Sequence, residues 1–192
     1  MNTKVLQKNI SKVLQNNLTI SIIKIILLLA TGMIAIWLHY KLRIPLKLPG
    51  KHGIVYLAIL MSSSSIINLR YSNTIITLGS SLLIISNAVG FNTPFIWINY
   101  ILVGLILDFI KNIYLNKKNI FLYGLAGSIA WATMPIIKFL IYQLIPLNSS
   151  IEIISVGYLI YSIFTHIIFG FMGGILSSSV LVIKNNNGFN KK

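Results

Sequence analysis

Few residues in this chain could do chemistry, and most of them fall in one short stretch. From His39 to Gly53 the sequence reads HYKLRIPLKLPGKHG, with four cations (Lys41, Arg43, Lys47, Lys51), two histidines, Pro45, Pro49, Gly50 and Gly53 set between long apolar runs. The remaining candidates lie inside apolar segments. Trp131, Pro135, Lys138 and Tyr142 recur at i, i+4, i+7 and i+11, and so share one helical face. Ser162, His166, Gly170, Gly173 and Ser177 share another, while Trp97, Asn99 and Tyr100 open a further run. Loop cations raise the local concentration of an anionic or carboxylate-bearing solute, and backbone donors at Gly50 and Gly53 allow its close approach. Trp97, Trp131 and Tyr142 would stack on a ring, with Asn99, Lys138 and His166 giving oriented polar contacts. Lys47, Lys51 and His52 complete the candidate substrate-binding set, and Lys41, Arg43, Pro45, Gly50 and Gly53 form a candidate gate loop.

The same inventory narrows the function classes. Asp108 and Glu152 are the only acids, whereas most hydrolases, phosphotransferases and metal enzymes need a carboxylate pair or cluster. No cysteine is present, which removes thiolate chemistry and Cys-ligated metal. The three histidines do not form a metal site by spacing. His39 and His52 flank the loop and could approach one another, but no carboxylate or thiol accompanies them and the neighbouring cations repel a divalent ion. No Gly-x-Ser-x-Gly elbow, His-Glu-x-x-His helix or phosphate-binding loop occurs. The expectation is a protein that is not an enzyme, has no cofactor and draws any driving energy from elsewhere.

The elements that must position these residues are membrane helices. Hydrophobic residues make up 56% of the chain and charged ones 9%, against about 25% charged in soluble domains, and the mean hydropathy is +0.84. The expected fold is an all-α integral membrane protein with six transmembrane helices. Its spans cover about 18–38, 54–69, 74–89, 95–110, 120–145 and 153–183, within a transmembrane domain of 18–183. A basic amphipathic segment (1–17) precedes it, carrying Lys4, Lys8 and Lys12 on one face, and a polar basic tail (184–192) follows. Ser62 to Ser65 must face other helices or bond back to helix carbonyls, because lipid offers no partner. Asp108 is expected to cap or to pair with Lys111 at i+3.

Six spans place both termini on one side. Eleven cations lie on that side and four, all in the His39–Gly53 stretch, on the other, so the Lys/Arg bias puts both termini in the cytoplasm and that stretch outside the cell membrane. The net charge of +14 is explained by this topology. It does not imply nucleic acid, because the cations form no basic face with interleaved aromatics.

Pro45, the LPGKHG run from Leu48 to Gly53 and the six-span count over 18–183 together resemble the substrate-binding S component of energy-coupling factor (ECF) transporters. That resemblance implies a gate formed by the first outer loop over a solute site, a vitamin-like substrate, and a transmembrane coupling protein with two ABC-type ATPases as partners. Span one carries Ala30, Gly32 and Ala35 but no Ala-x-x-x-Ala pair, a departure from the docking pattern common in the family. The alternative is a small polytopic membrane protein of another family. It would be a structural protein whose loop cations hold anionic lipid headgroups, or a membrane enzyme working through His166, Lys138 or tyrosines.

Overall fold

The structure, a computed structural model, describes residues 3–42, 44–67, 69–90, 95–117, 119–144 and 155–188. Six α-helices follow one another: α1 (Thr3–Lys41), α2 (Gly53–Ile67), α3 (Ser72–Ile85), α4 (Ile96–Lys117), α5 (Ile120–Leu144) and α6 (Val156–Gly188). Among the described residues three helical segments are long and apolar enough to cross a membrane: Asn17–Lys41, Ile120–Gln143 and Val156–Val180. They mark the chain as a membrane protein. The basic amino-terminal segment and the first apolar run form one uninterrupted helix. α4 runs on past the expected end near Ile110 to Lys117, because no glycine or proline stops it there. The connections between the third and fourth and between the fifth and sixth expected spans, residues 90–94 and 146–152, lie largely or wholly outside the described residues, as does Arg43.

α2 and α3 are short, 15 and 14 residues. At 1.5 Å per residue they reach about 22 and 21 Å, less than the ~30 Å of a bilayer hydrocarbon core. Their connecting turn is tied into the protein by two charges on α4. The Asp108 carboxylate accepts bonds from Asn73 N (3.1 Å) and Nδ2 (2.9 Å) and from Thr74 N (2.8 Å) and Oγ1 (2.6 Å). It thereby fills the role of an N-cap that Tyr71, lacking a side-chain cap bond, does not play. Lys111 donates to Ser64 O (3.3 Å), Leu69 O (2.9 Å) and Ser72 Oγ (2.6 Å), satisfying carbonyls at the end of α2. Of the two roles expected for Asp108, capping is the one its four hydrogen bonds fulfil.

Small residues set the helix crossings. A Cβ at Gly127 would strike Gly170 O, and one at Gly174 would strike Tyr123 O, so α5 and α6 meet backbone to backbone. Gly32 on α1 and Gly79 on α3 do the same for that pair, against Ile76 O and Leu29 O. Gly173 brings α6 onto the start of α2, where a Cβ would lie 2.8 Å from Gly53 O. Between these crossings lies a core that includes Leu28, Ile36, Tyr56, Leu57, Leu60, Ile76, Val103 and Leu107. Three serines of α2 are bonded within the protein. Ser62 bonds Ala58 O (2.6 Å), Ser65 bonds Met61 O (2.8 Å), and Ser64 meets Ser72.

Candidate functional site

At the end of the bundle where α1 hands over to α2, the chain turns through Gly50 with a positive φ of 77°, which a residue with a Cβ adopts at a cost. Two further observations fix glycine there. Its carbonyl accepts the Trp131 indole N–H at 3.0 Å, and a Cβ would lie 2.7 Å from Cγ of the His166 ring. Gly53, which bonds back to Gly50 O at 2.9 Å, is buried against the same indole. The loop is thus seated on α5 and α6 through two glycines.

Beneath it is a cavity of ≈ 210 Å³, lined among others by His39, Gly50, His52, Asn99, Tyr100, Trp131, Lys138, Ser162 and His166. Every histidine of the chain therefore lines one cavity. The rings form a continuous cluster. His39 and His52 have centroids 4.9 Å apart, His39 lies 6.1 Å from Trp131, and Trp131 lies 6.0 Å from His166. Tyr100 and Tyr56 meet at 5.2 Å, and Tyr56 and Trp131 at 5.6 Å. Tyr56 is held from below by its bond to Ser80 Oγ (3.0 Å), which in turn donates to Gly32 O at 2.8 Å.

The polar atoms are arranged with some definition. His166 Nδ1 lies 2.7 Å from Ser162 O. A carbonyl only accepts, so Nδ1 carries the proton, and in the neutral ring Nε2 keeps its lone pair. Asn99 is 4% exposed, and its buried Oδ1 has no partner among the described residues. His52 Nδ1 is likewise buried without one. Burial, together with the Lys51 ammonium next to it, holds the His52 imidazole below its ordinary value of 6.5. Among the described residues no group of three His, Asp or Glu side chains is placed to hold a metal ion.

The residues singled out from sequence divide clearly. His52, Asn99, Trp131, Lys138, His166 and Gly50 all line the cavity. Trp97 packs against the core, with its carbonyl accepting a bond from Ser81, and does not line it. Tyr142 does not line it either, although the Lys138 ammonium lies 5.7 Å from the Tyr142 ring centroid. The loop cations turn elsewhere. Lys51 donates to Ile44 O (2.8 Å) and Leu46 O, folding the loop upon itself; Lys47 and Pro45 are exposed, and Lys41 lies over the Tyr40 ring. Gly53 acts by packing. Arg43 lies outside the described residues.

Sequence reasoning left out His39, Tyr100 and Met134 as cavity residues. His39 carried a signal, since it sits at the last turn of a span beside a loop that also ends in a histidine. Met134 is i+3 from Trp131 on the face already identified. No protein-family model, curated protein or solved structure matches the chain.

Proposed function

We propose that the chain is the membrane-embedded substrate-binding subunit of an ECF-type importer, capturing a small vitamin-like solute at the outer face of the cell membrane for ATP-driven uptake through partner subunits. In this reading the six helices are six spans with cytoplasmic termini, α2 and α3 crossing as a short hairpin. The observation that carries it is the seated loop. A cavity of solute size, walled by rings and by polar atoms left without partners, lies under a segment held by one indole bond and one glycine–histidine contact. Binding sites for small molecules have this makeup, mostly aromatic and apolar with a few convergent polar groups.

Such a loop can open without unfolding the bundle, because what holds it is local. A solute entering from outside would meet Lys138 in the wall, then Trp131 and the histidines. Uptake would need energy from a transmembrane coupling protein and ABC-type ATPases, since no nucleotide-binding motif occurs in the chain. The test is purification of the tagged protein from its native membrane under mild detergent. Copurification of a membrane protein with ATPase subunits, or of a tightly held small solute, is expected; a lone chain that binds no member of a broad vitamin panel would overturn the reading.

A further inference from the structure

We propose that the cavity takes a planar nitrogen heterocycle bearing an adjacent donor–acceptor edge, a cyclic amide or amidine of the kind found on nucleobases. This rests on the reading of the cavity as a solute site and names the chemistry of the solute. The central observation is Asn99. It is 4% exposed, it lines the cavity, and its Oδ1 has no hydrogen-bond partner among the described residues. A buried amide costs free energy unless its acceptor and donors are met. Within one ligand, a carboxamide is met best by a neighbouring acceptor and donor in one plane, the pairing by which Asn reads adenine.

The other walls agree with this class. Trp131 and Tyr100 line the cavity, and an aromatic wall suits a flat heterocycle. His166 has Nδ1–H committed to Ser162 O, which leaves Nε2 as an acceptor when the ring is neutral, and His52 Nδ1 is unmatched. Acceptors in the wall ask for N–H groups on the ligand. The volume of ≈ 210 Å³ equals about seven waters at roughly 30 Å³ each, enough for one or two fused rings and too small for an attached sugar phosphate.

Charge limits the solute to at most one negative charge. Lys51 is spent on loop carbonyls, Lys47 is exposed, and Lys138 is the one lysine in the lining among the described residues. Among the described residues no acid lines the cavity either, so a dication has no counter-charge there, and no three ligands are placed for a metal. What remains is a neutral or singly charged ring system read by hydrogen bonds.

The test uses the purified full-length protein in detergent, with adenine, guanine and uracil as probes and benzoate and nicotinate as aromatic carboxylates lacking the edge, by isothermal titration. At least one base should bind, and Asn99→Leu should weaken it about 10- to 100-fold. Asn99→Asp, of the same shape but without the amide donors, should weaken uracil as well, and guards against a fold defect in the leucine variant. Binding of the carboxylates and of none of the bases would overturn the heterocycle while leaving the cavity a solute site. A base that binds Asn99→Leu as tightly as wild type would do the same. No binding of either class up to about 1 mM, with the fold intact by circular dichroism, would overturn the heterocycle, and a broad vitamin panel that also failed would overturn the solute site.

Discussion

Replacing Gly50 by alanine separates a seated loop from one merely lying over the bundle. The substitution meets two obstacles. An alanine at φ 77° carries the left-handed penalty of about 1–2 kcal/mol. Its Cβ would also come 2.7 Å from the His166 ring, which cannot swing aside without breaking its 2.7 Å bond to Ser162 O. Relieving either strain moves the Gly50 carbonyl away from Trp131, losing a hydrogen bond worth about 0.5–1.5 kcal/mol. The open loop should therefore gain about 2–3 kcal/mol relative to the closed one, a rise of roughly 30- to 150-fold in its population. Trypsin cleavage after Lys51 reads this directly, because Lys51 is held by Ile44 O and Leu46 O while the loop is closed, and proteolysis tracks the open population when reclosing is fast. Mass spectrometry of the peptides from wild type and Gly50→Ala in detergent should show that acceleration at Lys51, with cleavage at Lys47, already exposed, rising less. An unchanged rate at Lys51 would refute the seating of the loop on α5 and α6.

Two further outcomes follow from the same geometry. Asp108→Asn removes the charge and half the acceptors from a carboxylate that serves four donors at the start of α3. It should cost at least about 2 kcal/mol of stability, seen as a lower thermal midpoint in detergent, with solute binding at the other end of the bundle little changed. His52 should make loop closure pH-dependent. Its folded value is lowered from 6.5, so the open or unfolded loop takes up the proton more readily. Closure is then fully supported above about pH 6.5 and weakens as pH falls below it toward the folded value. Trypsin cleavage after Lys51 cannot be compared cleanly across that range, but hydrogen exchange at the Gly53 amide, corrected for intrinsic rates, can; His52→Gln should reduce the slope.

Much of the fold was legible because lipid imposes strong sequence rules. Six apolar runs became six helices, and the i, i+4, i+7 pattern of Trp131, Pro135 and Lys138 put all three on one cavity wall. Ser62 and Ser65 of α2 bonded back to carbonyls one turn earlier, and Ser64 to the Ser72 hydroxyl. The pairing of His39 with His52 was also readable, since a loop must return its ends to neighbouring helices. What the sequence hid was tertiary. The loop cations suggested an electrostatic mouth, yet Lys51 bonds its own loop, since unpaired carbonyls in a tight turn compete for an ammonium as well as any solute does. Tyr142, one turn beyond Lys138, is not among the residues that line the cavity, which on α5 run from Trp131 to Lys138. Trp97 and Asn99 are two residues apart on a helix, so only one of them can face the cavity, and it is Asn99.

The central claim is that the space under the loop holds a solute in the membrane, and native mass spectrometry of the protein released from detergent tests it most directly. Wild type purified from its own membrane should carry one small, non-lipid adduct that is absent from Trp131→Ala, a variant that loses both a cavity wall and the Gly50 bond. Wild type bearing only lipid, or an adduct retained unchanged by Trp131→Ala, would contradict it.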